Sequence, residues 1–68
     1  MKYVIQVYSK GNCVGWLKAI SAKTFSVTKN VRYAKKYKPS EMDLAQGDCD
    51  YIVAFSNGQS IGSIDTLL

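Results

Sequence analysis

Tyr51-Ile52-Val53-Ala54-Phe55-Ser56-Asn57-Gly58-Gln59-Ser60-Ile61-Gly62-Ser63-Ile64 is the stretch on which the fold of this chain turns. Tyr51 to Phe55 is an uninterrupted apolar run, which reads as a buried strand. Asn57-Gly58 is the dipeptide best suited to a two-residue hairpin, because both central positions of a type I′ turn need φ > 0. Ser60 to Ile64 then returns as a final strand, with Asp65 to Leu68 fraying or packing two leucines at an edge.

Upstream of that hairpin the period changes. Ser40-Glu41-Met42-Asp43 fits the Ser/Thr-x-x-Asp/Glu helix-start pattern; Leu44, Ala45 and Gln46 continue it, and Gly47 supplies a stop, giving a short helix or a single turn. Asn30 is a good N-cap for an earlier helix, in which Val31, Ala34 and Tyr37 recur at helical spacing until Pro39 ends it. At about 100° per residue, Tyr33, Tyr37, Ala34 and Val31 share one arc and Lys29, Arg32, Lys35 and Lys36 the opposite one. Lys36 and Lys38 also suit the negative end of the helix dipole.

The N-terminal third reads as extended. Tyr3, Ile5 and Val7 alternate with Val4, Gln6 and Tyr8, Lys10-Gly11-Asn12 supplies a turn, and Val14, Trp16, Lys18 and Ile20 alternate against Cys13, Gly15, Leu17 and Ala19. These runs pair as a hairpin, with Gly15 marking a bulge or a close backbone approach. Ser21 to Lys23 is a loop, and Phe25 and Val27 belong to a short extended segment that sends both side chains into the core. The expected fold is a single α+β domain over residues 1–68, ββ-α-(α)-ββ: an antiparallel sheet from two hairpins, with one or two short helices packed on one face. The other sheet face, carrying Tyr8, Trp16 and Tyr51, is the natural contact surface.

Composition narrows the chemistry. The 68 residues are 47% hydrophobic and 21% charged, with one Pro and no His. No Ser-His-Asp or Cys-His catalysis and no imidazole switch can be built, and no phosphate-loop, dinucleotide or EF-hand signature is present. A deep pocket of some 300 Å³ is a large hole in so small a core. Surface binding is therefore expected rather than catalysis, with no cofactor. Cys13 and Cys49 can form at most one bridge and, with no signal peptide or membrane-length apolar run in view, read as reduced thiols packed as small core residues of an intracellular, cytoplasmic protein with no membrane partner.

The net charge of +4 conceals a sharper division: all nine Lys and Arg lie before Pro39 and all five Asp and Glu lie after it, giving +9 and −5. Either the two halves attract each other in the folded chain, or they form a basic and an acidic face, each open to a partner. Lys29, Arg32, Lys35, Lys36 and Lys38, with Tyr33 and Tyr37 among them, have the composition of a phosphate-contacting surface, although a Lys-rich helix face is also simply a solvated one. Glu41, Asp43, Asp48 and Asp50 match no calcium-loop spacing, so no metal site is expected; capping and loop solvation account for them, and a surface engaging a basic groove is the functional alternative. Trp16 is either the main core anchor or an interface centre, and core is the better reading for a chain with few large apolar groups.

Tyr3-Val4-Ile5, Gly15-Trp16-Leu17-Lys18, and Phe25 and Asn30 leading into Ala34-Lys35-Lys36-Tyr37 resemble a pattern common in small bacteriophage-encoded proteins. The resemblance covers about the first 40 residues. It implies an accessory factor that inhibits a host enzyme, a restriction system or a CRISPR effector by surface contact. Such inhibitors that mimic DNA are strongly acidic, and this chain is basic. Three expectations follow: a non-catalytic inhibitor of a host protein or nucleoprotein complex, acting through the basic or the acidic stretch; a small nucleic-acid-binding module stacking bases on Tyr8, Trp16 or Tyr33; and a homodimeric assembly protein pairing through the Ser60 to Ile64 edge.

Overall fold

The computed structural model describes residues 1–22 and 24–67; the expectations for Lys23 and Leu68 lie outside them. The alternating run forms β1 (Lys2–Ser9), and Lys10 and Gly11, at φ of 54° and 82°, make the two-residue turn into β2 (Asn12–Ile20). β3 (Phe25–Thr28) pairs antiparallel with β2. Gly15 meets both readings given to it. Its register partner Val7 adjoins a register shift, and a Cβ at Gly15 would sit 2.5 Å from the Thr28 carbonyl oxygen.

The helix expected between Asn30 and Pro39 is absent. Asn30 does cap, its Oδ1 accepting the Arg32 N–H at 3.0 Å, but it caps only a 3-10 turn, Val31–Tyr33. The chain then leaves helical geometry, extended at Ala34 and Lys38, and forms a strap that joins β1 through an isolated antiparallel bridge, Tyr3↔Tyr37. Tertiary pairing outcompetes local helix propensity here: Tyr37 exchanges two 2.8 Å backbone hydrogen bonds with Tyr3, and the Lys35 N–H donates to the Leu17 carbonyl at 2.8 Å. Pro39 adds a steric bias, holding Lys38 extended at φ −80° and ψ 160°. The expected apolar arc breaks up accordingly, with Ala34 and Tyr37 buried while Tyr33 is 61% exposed.

Tyr51 to Phe55, expected as a strand, does not form one: it is helical, the last part of α1 (Met42–Phe55), which runs straight through Gly47. Ala45, Cys49 and Ile52, at i, i+4 and i+7, are its buried stripe, and burial of that stripe outweighs the cost of roughly 1 kcal/mol for a mid-helix glycine. Nor does Ser40 cap it. A 3-10 turn, Pro39–Glu41, leads into α1, and the Glu41 carboxylate accepts the Lys38 N–H at 2.8 Å. Asn57 and Gly58 do adopt positive φ, 56° and 82°, but they turn a helix into a strand rather than joining two strands. The Gly58 N–H donates to the Val53 carbonyl, and the Ser56 hydroxyl donates to the Ile52 carbonyl at 2.7 Å.

β4 (Ser60–Leu67) pairs with β1 in unbroken antiparallel register, so the sheet order is β3-β2-β1-β4. The fold is α+β: β1, β2 and β3 follow one another as two hairpins, the hairpin expected over residues 51–64 does not form, and α1 packs on one face of the four-stranded antiparallel sheet. A Cβ at Gly62 would lie 2.9 Å from Ile5 Cγ2, 3.1 Å from Ile52 Cδ1 and 3.2 Å from Cys49 Sγ, so Ile5 and Gly62 face α1. Between sheet and helix lies the core of Ile5, Val7, Leu17, Tyr37, Ala45, Cys49 and Ile52, with Phe25 packed against it. Val27, expected inside, is 38% exposed. Cys49 is buried as expected, whereas Cys13 is exposed, and both thiols are free.

Candidate binding surface

Alternation along β1 and the registers Gln6↔Trp16, Gln6↔Ser63 and Tyr8↔Ile61 put Tyr8, Trp16, Ser63 and Ile61 on the sheet face that carries no helix. Trp16 is half-buried there and is not part of the main core cluster, so it is not the anchor it was expected to be. Tyr8 is also half-buried, its hydroxyl donating to Gln6 Oε1 at 3.0 Å, and the Gln6 amide approaches Cys13 Sγ at 3.2 Å. Tyr51, expected beside them, stands instead on α1, 54% exposed and stacked on Phe55 at 5.4 Å.

The strap carries the basic residues, and the structure divides them by what they touch. Lys35 is committed: its Nζ lies 3.0 Å from Asp48 Oδ2 and 5.1 Å from the centre of the Tyr37 ring. Lys36 Nζ donates to the carbonyls of Arg32 and Ala34 at 2.8 and 3.1 Å, closing off the end of the 3-10 turn. The charged ends of Lys29, Arg32 and Lys38 have no hydrogen-bond or ion-pair partner among the described residues, and all three residues are exposed. Lys29 also borders a shallow depression of about 330 Å³ on the open sheet face, shared with Cys13, Val14, Gly15 and Trp16.

The acidic residues do not form one face. Glu41 caps the start of the helix, and Asp48, on α1 rather than in the expected loop, accepts both Lys35 and the Tyr37 hydroxyl. Asp43 and Asp50 are exposed on α1, seven residues apart and hence on one flank. Among the described residues the two charge clusters thus meet at one ion pair, Lys35–Asp48, where the strap meets the helix. Burial, reinforced by the hydrogen bond to Asp48 and its negative charge, pushes the Tyr37 phenol well above its ordinary value. Burial likewise raises the Cys49 thiol, with Asp50 and Asp48 adding to it.

Attraction between the two halves was one of the two expectations, but the particular Lys35–Asp48–Tyr37 clamp was not legible, because nothing in the order of residues brings positions 35 and 48 together. Sequence reasoning expected Tyr51 at a surface but on the sheet, and it missed the exposed Leu44; their seven-residue spacing on α1 becomes visible only once the helix is known to continue past Gly47. Among the described residues no group of three or more His, Cys, Asp or Glu is placed to hold a metal ion, and no helix is long and apolar enough to cross a membrane. No protein-family model matches this chain, and neither a curated protein nor a solved structure is significantly similar to it.

Proposed function

We propose that this chain is a non-catalytic binding protein that occludes a working surface of a bacterial host protein or defence complex, such as a restriction nuclease or a CRISPR effector, and that the strap is its contact surface. One observation carries the reading. Lys29, Arg32 and Lys38, whose charged ends meet no partner among the described residues, lie in sequence to either side of a 61% exposed Tyr33, on a segment fixed to the sheet by backbone hydrogen bonds at Tyr37 and Lys35. Tyr and Arg are the side chains that most often dominate interface energetics, and a segment already held in place loses little conformational freedom on binding. Three uncompensated cations select an acidic surface on the partner and speed the encounter.

A Lys29→Glu, Arg32→Glu, Lys38→Glu variant tests this, since none of these side chains supports the fold. Its affinity for a captured partner should fall roughly 100-fold or more, with the circular dichroism spectrum unchanged. Undiminished affinity would exclude the strap.

The depression shared by Trp16 and Lys29 favours a second reading, single-stranded nucleic acid stacked on the open sheet face. That reading requires binding that weakens steeply with salt and is lost in Trp16→Ala.

A further inference from the structure

The sheet ends on β4, and between its two ends this edge lacks most of the devices that keep exposed strands from pairing; at the ends, the Ser56 hydroxyl occupies the Ser60 N–H and carbonyl and the Asp65 carboxylate accepts the Thr66 N–H. Folded monomers blunt such edges with short strands, lysine, proline, bulges or a covering element. β4 has eight residues, holds unbroken register with β1 from Lys2↔Leu67 to Ser9↔Ser60, and contains no Pro, Lys or Arg; Asp65 is its single charge. The other edge differs: β3 has four residues, and its pairing with β2 is interrupted between Leu17 and Ala19.

Apolar side chains flank the β4 edge on both faces. Ile61, on the open face, is 54% exposed, and Val53, on α1, is 40% exposed. Val53 follows Asp48 by five residues, about 140° around the helix. Asp48 points to Lys35 and Tyr37, whose segment pairs with β1 and β2, so Val53 lies on the opposite flank, above the free side of β4.

We infer that β4 pairs antiparallel with β4 of a second copy of this chain across a two-fold axis, giving one eight-stranded sheet with both helices on the same face. Self-complementarity selects this occupant. In such a pairing residues of one face meet residues of the same face, so Ile61, Ser63, Asp65 and Leu67 meet their own set. The single charge is compatible with it: an axis at Ile64 sets Asp65 opposite Ser63, and an axis at Ser63 sets it opposite Ile61. Only an axis at Asp65 itself would oppose two carboxylates, which fixes where the register cannot lie. A contact made by two strands and the side chains flanking them falls at the small end of stable interfaces, so the dimer is a micromolar-range, concentration-dependent one.

Sedimentation equilibrium on the full chain, from low micromolar to sub-millimolar concentration, tests the pairing. The expected result is a monomer–dimer transition that disappears in an Ile61→Lys, Ser63→Lys variant, both positions being exposed and outside the core. Hydrogen exchange on the unaltered protein supplies a readout that needs no variant. Amides of β4 should slow by at least roughly 10-fold on concentrating the sample, while those of β3 stay unchanged. A wild-type chain that remains monomeric throughout overturns the inference, including the case in which β4 receives a strand from a different protein. A dimer that survives the double substitution, or one that protects β3 rather than β4, overturns it as well.

Discussion

At Tyr37 one side chain ties the strap to the helix. Its ring lies in the core, its hydroxyl donates to Asp48, and its backbone pairs with Tyr3. Tyr37→Phe keeps the ring and removes the donor, so it should cost about 1–2 kcal/mol in urea unfolding at neutral pH. Its pH dependence has a definite sign. The folded state holds the phenol proton above the ordinary value of 10.0, so the unfolded state releases it first as pH rises. The contribution is complete below about pH 10 and declines above it by about 1.4 kcal/mol per pH unit, and that part of the decline should be missing in Tyr37→Phe. Glycines at close approaches give a second prediction at this scale. Gly15→Ala, at φ 137° with its new Cβ against the Thr28 carbonyl, should destabilise the chain by at least about 2 kcal/mol. Gly62→Ala meets side chains that can shift a little and should cost about 1–3 kcal/mol in the same measurement.

At the scale of elements, α1 depends on burial of Ala45, Cys49 and Ile52 rather than on propensity, and Gly47 is its weak point. No atom lies within 4 Å of a Cβ built there, so Gly47→Ala should raise the unfolding free energy by about 0.5–1 kcal/mol; a helix that stopped at Gly47 would lose stability instead. The elements that could be read from the sequence are those whose pattern is local. Alternation in β1, the Lys10-Gly11 turn, the Asn30 cap and the tight approach at Gly15 each involve neighbours in sequence or a single backbone constraint. Tyr51 to Phe55 could not be read so, because a short all-apolar run has the same composition in a buried strand and in the end of a helix. Asn57-Gly58 reinforced the misreading, since tolerance of positive φ serves a hairpin turn and a helix exit equally well. The strap was misread for a different reason: its helical spacing is real, but bonds to Tyr3 and Leu17, distant in sequence, decide its conformation. Exposure of Lys29, Arg32 and Lys38 was legible from charge alone, whereas the commitment of Lys35 to Asp48 required the fold.

For the whole molecule, the division of charge into a basic and an acidic half is resolved asymmetrically. The acidic half spends Glu41 on a helix start and Asp48 on Lys35 and Tyr37, leaving Asp43 and Asp50 exposed on α1. The basic half spends Lys35 and Lys36; on the strap Lys29, Arg32 and Lys38 stay exposed with no side-chain partner among the described residues, as do Lys2, Lys10 and Lys18 on the strands and the β1–β2 turn. Charge on the strap should therefore govern recognition and matter little for folding, since surface charges of this kind contribute about 0–1 kcal/mol each. Lys35→Ala is the informative contrast, because it removes a group tied to the fold and should lower stability while sparing partner binding. Affinity capture from a nuclease-treated bacterial lysate, run in parallel with wild-type protein and with the Lys29→Glu, Arg32→Glu, Lys38→Glu variant, decides whether the strap is the contact surface. The expected result is a stoichiometric host protein retained by the wild type and lost by the variant. Equal retention by both, or retention of nucleic acid alone in a sample spared the nuclease, would contradict it.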